Sequence, residues 1–206
     1  MRRGLLAALL VVTIVGLGLF AARSRRLTPG PLGAETGALD YTHHIGVGER
    51  FSIGGALLLN GTNKPATIER VRVVGVTDGL EVLGVRTRPL PDQGKGMFLG
   101  ALDYPPPEYP SRPLAEQNIV RPATSRTPAG TPGDGLELVI GVRATRPGIA
   151  RFRAVEFTYR LGGRRYRAVN DGNVYLCAPV GRYGKDECPG PVEGEFSSTT
   201  VEAKSG

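Results

Sequence analysis

From Leu136 to Val169 apolar and polar residues take turns along the chain, and a period of two places alternate side chains on opposite faces of a strand. Leu136, Leu138, Ile140, Val142 and Ala144 share one face, opposite Glu137, Val139, Gly141 and Arg143. Arg146-Pro147-Gly148 then turns the chain. Val155, Phe157, Tyr159 and Leu161 alternate with Glu156, Thr158 and Arg160. Gly162-Gly163 suits a tight hairpin, because both positions tolerate positive φ, so Arg164 to Val169 reads as the returning strand. Val174-Tyr175-Leu176 reads as a further one.

Upstream segments repeat this pattern less regularly. Phe51 to Leu59 reads as a strand with a bulge at Gly54-Gly55, followed by turn residues at Asn60-Gly61 and Asn63-Lys64-Pro65. In Ile68 to Val76, Val71, Val73 and Gly75 share one face while Arg70, Arg72 and Val74 share the other. Thr77-Asp78-Gly79 leads into Leu80 to Arg86, which predicts a hairpin. None of these segments carries the 3.6-residue period of a surface helix. The expectation is an all-β, immunoglobulin-like β-sandwich whose core includes Leu57, Leu59, Val71, Val73, Leu138, Ile140, Val142, Phe157 and Tyr159. The immunoglobulin pattern is incomplete, since no Trp is present and the two cysteines are too close in sequence to join distant strands.

The N-terminus carries a different signal. Leu5 to Ala22 reads LLAALLVVTIVGLGLFAA, without a charge, between Arg2-Arg3 and Arg23-Ser24-Arg25-Arg26. As a helix it spans roughly 27 Å, against a bilayer core of about 30 Å. This predicts one N-terminal transmembrane helix within 1–26, a Pro/Gly-rich spacer over 27–48, and an extracytoplasmic β-sandwich over 49–206 with a long Pro-rich insertion at 89–135. A cleaved leader is the alternative, although a cut after Ala21, Ala22 or Ala34 sets Leu19, Phe20 or Leu32 where a small residue is preferred. The flanking arginines nearly tie in the positive-inside comparison. The expected localisation is the cell membrane, single-pass, with the C-terminal domain outside and the lipid bilayer as partner. A secreted form is the alternative.

Charge excludes one class of partner. The formal net charge is +7, but five of the 26 basic residues flank the apolar run, and the rest nearly balance the 19 acidic residues. Such a balance gives no ground for nucleic acid binding.

Cys177 and Cys188 are the two cysteines, and in an oxidising compartment their pairing would close a short loop. They form no Cys-x-x-Cys redox unit. His43-His44 beside Asp40 do not converge on an extended strand, so no metal is expected. No serine lies in a nucleophile-elbow context, and the glycines form no phosphate-binding motif. No cofactor is expected, and the chain reads as non-enzymatic.

Two surfaces stand out as candidate partner contacts. Tyr104 and Tyr109 lie within a proline-rich run, Tyr104 to Pro113, that favours polyproline II geometry. The plainer reading of that run is a stiff loop covering the sandwich. Arg160, Arg164, Arg165 and Arg167 form a second surface, suited to an envelope protein or acidic envelope polymer, and its plainer reading is a solvated sheet face.

A short basic leader, one apolar segment, a Pro/Gly-rich stretch and the later GGRRYRAVNDGNVYLCAP together resemble uncharacterised exported or membrane-anchored proteins of high-GC Gram-positive bacteria. The resemblance implies an envelope location and transfers no activity to any residue. The sequence therefore predicts a single-pass envelope protein presenting a binding or structural domain. Its alternatives are a secreted binding protein after signal cleavage, an accessory subunit of a membrane complex, or an envelope enzyme.

Overall fold

The alternating segments fold into two sheets that bury their apolar faces against one another. The computed structural model describes residues 27, 29–33, 41–89, 100–122, 135–178 and 198–202. In chain order the strands are β1 (Leu32–Gly33), β2 (Tyr41–His44), β3 (Arg50–Asn60), β4 (Ala66–Thr77), β5 (Leu80–Pro89), β6 (Gly100–Leu102), β7 (Arg112–Pro113), β8 (Ile119–Val120), β9 (Leu136–Ala144), β10 (Gly148–Leu161), β11 (Arg164–Ala178) and β12 (Ser198–Glu202). Sheet 1 runs β1-β3-β9-β5-β7, with β6 also on β3; sheet 2 runs β12-β4-β10-β11-β2, with β8 also on β4. The order β1-β3-β9-β5 facing β4-β10-β11 is that of a constant-type immunoglobulin sandwich.

The core forms where the alternation predicts it. Leu136, Leu138, Ile140, Val142 and Ala144 of β9 meet Val155, Phe157, Tyr159 and Leu161 of β10 and Val71 and Val73 of β4 in one buried cluster. The β10–β11 hairpin closes at Gly162-Gly163, with Leu161 opposite Arg164. Two local expectations change. The bulge between Ile53 and Ala56 resets the phase of β3, so Ala56 and Leu58 enter the core while Leu57 and Leu59 are only partly buried. Asp78-Gly79 reverses the chain, but it carries β4 of sheet 2 into β5 of sheet 1 and makes no hairpin.

The expected membrane helix is corrected. Every element among the described residues is a strand, and no helix there is long and apolar enough to cross a membrane. Segment 5–22, which prompted the expectation, lies outside the described residues. The expectation rested on length and apolarity, properties that a membrane helix shares with an exported leader. The single-pass signal-anchor, the cell-membrane localisation and the lipid bilayer partner that followed from it are set aside with it.

The disulfide expectation is also narrowed. Cys177 is buried in β11 and is not a free thiol, but Cys188 lies outside the described residues. Cys177 is disulfide-bonded, and the partner end of the expected Cys177–Cys188 bridge falls outside the described residues.

Residues within the stretch read as a spacer join both sheets. Pro29 bridges to Arg167 of β11, β1 pairs with β3, and β2 lies parallel to β11. The Leu32 N–H donates to the Tyr159 hydroxyl at 3.0 Å.

Candidate functional site

The outer faces of the two sheets meet different fates. On sheet 1, residues 100–113 form a strap. The strap starts at β6 on the β3 edge, crosses the outer face and ends at β7 on the β5 edge. Three small residues lie in register across that face, Ser52 and Gly141 and Gly84, and Tyr104 fills the slot they leave. Ser52 donates to the Asp103 carbonyl at 2.6 Å, and the Arg50 guanidinium reaches both the Asp103 carboxylate and the Tyr104 carbonyl. At the other end, Arg86 donates to the Ser111 carbonyl at 2.8 Å.

The strap also seals a buried ion pair. Glu137 is fully buried, taking the Gly55 N–H of the β3 bulge at 2.9 Å and Arg88 Nε at 2.5 Å. The Arg88 guanidinium in turn lies 5.4 Å from the centre of the Tyr109 ring.

These contacts place both tyrosines within the strap. Tyr104 is buried, and burial pushes its phenol up to about 12. Tyr109 is half-buried beneath Arg88. Both rings pack within the strap over sheet 1.

The outer face of sheet 2 carries its arginines in the open. Arg70 and Arg72 of β4, Arg160 of β10, and Arg165 and Arg167 of β11 share three carboxylates, Glu69, Glu156 and Glu202. Glu69 is the extra residue of a bulge between β4 and β10, and it holds Arg160 at 2.9 Å and Arg165 at 2.6 Å. Burial acts to raise its carboxyl, but the bonds from Arg165 and Arg160 outweigh that and hold it below the usual range. Glu156 takes Arg72 at 3.3 Å and Arg167 at 2.6 Å. Glu202 of β12 pairs with Arg70, and that hydrogen bond lowers its carboxyl. Arg164 stands exposed beside the hairpin turn.

The structure thus brings Arg160, Arg165 and Arg167 onto one lattice and adds Arg70 and Arg72 to it. Sequence reading placed Arg70 and Arg72 on a common face, but the pairing of β4 with β10 that joins them to Glu156 is non-local. Beside Arg167 the arm at Leu27 and Pro29 walls a groove of about 880 Å³ on this face. Among the described residues no group of three or more His, Cys, Asp or Glu side chains is placed to hold a metal. His43 stacks on Phe51 at 4.4 Å, and burial lowers its imidazole, with His44 adding to the effect.

No family model and no curated protein sequence matches the chain. Among solved structures, it is similar to the VesB protease of Vibrio cholerae, with TM-score 0.33 and 13% identity over 68% of this chain and 31% of that one. It is also similar to the ambient temperature fimbriae adhesin AtfE of Proteus mirabilis, with TM-score 0.19 and 9% identity over 74% of this chain and 96% of that one. Likenesses of this size carry no argument about what the chain does.

Proposed function

We propose that this chain is a non-enzymatic secreted binding protein, released after leader cleavage, whose sheet 2 outer face takes an anionic partner through Arg160, Arg164, Arg165 and Arg167. The observation that supports it is the imbalance on that face, where five arginines share three carboxylates and keep side chains that are 38–59% exposed. A guanidinium offers a planar fork of donors, so arginines not saturated by one carboxylate remain able to bind a second anion. Among the described residues sheet 1 offers no comparable surface, because the strap lies over it.

Two measurements test the reading. N-terminal sequencing of protein from culture supernatant is expected to find a product lacking the apolar run. The purified protein is expected to bind poly-glutamate and not poly-glutamine, with affinity falling as salt rises. The combined R160Q/R164Q/R165Q/R167Q variant is expected to lose that binding while still melting cooperatively, at a somewhat lower temperature because Glu69 loses both of its arginines. Retained binding in this variant, or absence of the chain from the supernatant, would overturn the proposal.

A further inference from the structure

Within the sheet 2 face, one place is built differently from the rest. Glu156 is only 8% exposed, yet it lies in the groove bounded by Leu27, Pro29, Arg70, Arg72 and Arg167. Its two oxygens are divided between two strands, one toward Arg72 of β4 and the other toward Arg167 of β11. Each guanidinium therefore meets Glu156 through one end of its fork, and the Arg72 and Arg167 side chains remain 38% and 50% exposed. The third arginine of the groove, Arg70, is paired with a carboxylate that arrives on a separate strand, Glu202 of β12 laid antiparallel to β4. The chain thus shows what kind of carboxylate this place accepts: one carried on an extended peptide.

We infer that this groove binds a Glu or Asp side chain of an extended acidic peptide in a partner protein, between Arg72 and Arg167, with Glu156 as a built-in competitor for the same two guanidiniums. The inference rests on the anion-binding reading of the face and narrows it to one place and one ligand class. Leu27 and Pro29 supply an apolar wall for the stem of the incoming side chain. Glu156 limits affinity, because the incoming carboxylate approaches arginines already half neutralised and meets a like charge. Removing that charge while keeping the shape of the side chain strengthens binding.

The test uses a fluorescein-labelled Gly-Glu repeat octapeptide, with a Gly-Gln repeat as control, titrated by anisotropy against the wild-type protein and its variants. E156Q is expected to bind the acidic peptide about tenfold more tightly, and R72Q/R167Q about tenfold more weakly, one lost charge-assisted contact being of that order. R160Q/R165Q, the next position along the same face and paired with Glu69, not with Glu156, is expected to weaken binding only about two- to threefold, through charge without direct contact. Side-chain Nε–H resonances of Arg72 and Arg167 in the wild-type protein are expected to shift during the same titration, a readout independent of variant folding. If E156Q weakens binding, or if the shifts fall on Arg160 and Arg165 alone, the groove is overturned while the face remains the binding surface. If inorganic polyphosphate binds and the acidic peptide does not, the peptide assignment fails. If no anionic probe binds, this inference and the broader reading fall together.

Discussion

The Tyr104 ring occupies the space that a side chain at Gly141 would need: a Cβ built there would sit 2.4 Å from ring carbons. Gly141 pairs with Ser52 on one side and Gly84 on the other, so the slot belongs to three strands at once. Tyr104 enters it from a loop, just after Asp103, whose φ of 77° lies in the left-handed region.

Gly141→Ala is expected to displace the ring and loosen the strap, at a cost of about 1–3 kcal/mol, the usual range for overpacking a filled site. Urea denaturation checks the cost, and faster proteolysis within residues 100–113 checks its location. An unchanged midpoint would mean the ring does not hold the strap.

Stability is expected to fall as pH rises through about 10 to 12. The Tyr104 phenol is held up to about 12 by burial, against an ordinary value near 10. The folded state therefore keeps its proton where the unfolded chain gives it up. The contribution is whole below pH 10 and is lost by about pH 12. Tyr159 is raised too, so the slope has a second source. Y104F is expected to flatten part of it. It should cost little at neutral pH, because the Tyr104 hydroxyl has no hydrogen-bond partner among the described residues. Melting curves between pH 8 and 12 for both proteins decide the matter.

Glu137→Ala is expected to destabilise the fold by roughly 3–5 kcal/mol, since it leaves the Arg88 guanidinium buried beside an apolar methyl. Glu137→Gln keeps an acceptor for the Gly55 N–H and is expected to lose less. Chemical denaturation of the two variants should rank them in that order; equal losses would show that the charge pair, not the bond to the bulge, sets the cost.

Gly30→Ala is expected to lift the N-terminal arm. A Cβ at Gly30 would lie 2.1 Å from the Tyr159 hydroxyl oxygen and 2.6 Å from Tyr166. Moving the arm breaks the bond from Leu32 to Tyr159, and about 1–3 kcal/mol is expected to go with it. Thermal melting and the near-ultraviolet signal of the stacked Tyr159 and Tyr166 rings report the two effects.

Local periodicity carried the sequence reading where partners are close along the chain. The inward row of β9 and the Gly162-Gly163 hairpin were legible because a period of two and a two-residue turn determine them without help from distant strands. Beyond the β3 bulge the reading of Leu57 and Leu59 failed: one inserted step exchanges the two faces, and no residue marks how many are inserted. Asp78-Gly79 specified a reversal but not the sheet that receives the next strand. Glu137 looked solvent-facing by alternation; it is buried because a strap from elsewhere in the sequence covers it. The arginine lattice was half legible. The β11 arginines stand in one visible row, whereas Arg70 and Arg72 join them through the pairing of β4 with β10.

The strap has a consequence for how the molecule can be approached. A bare sandwich is two-sided and could be gripped from above and below at once, or stacked sheet upon sheet. Here one broad surface is spent on the chain's own residues 100–113, held by Arg50, Ser52 and Arg86. The domain is left with a back and a front. A partner that approaches the outer face of sheet 1 meets the strap there before it meets the strands.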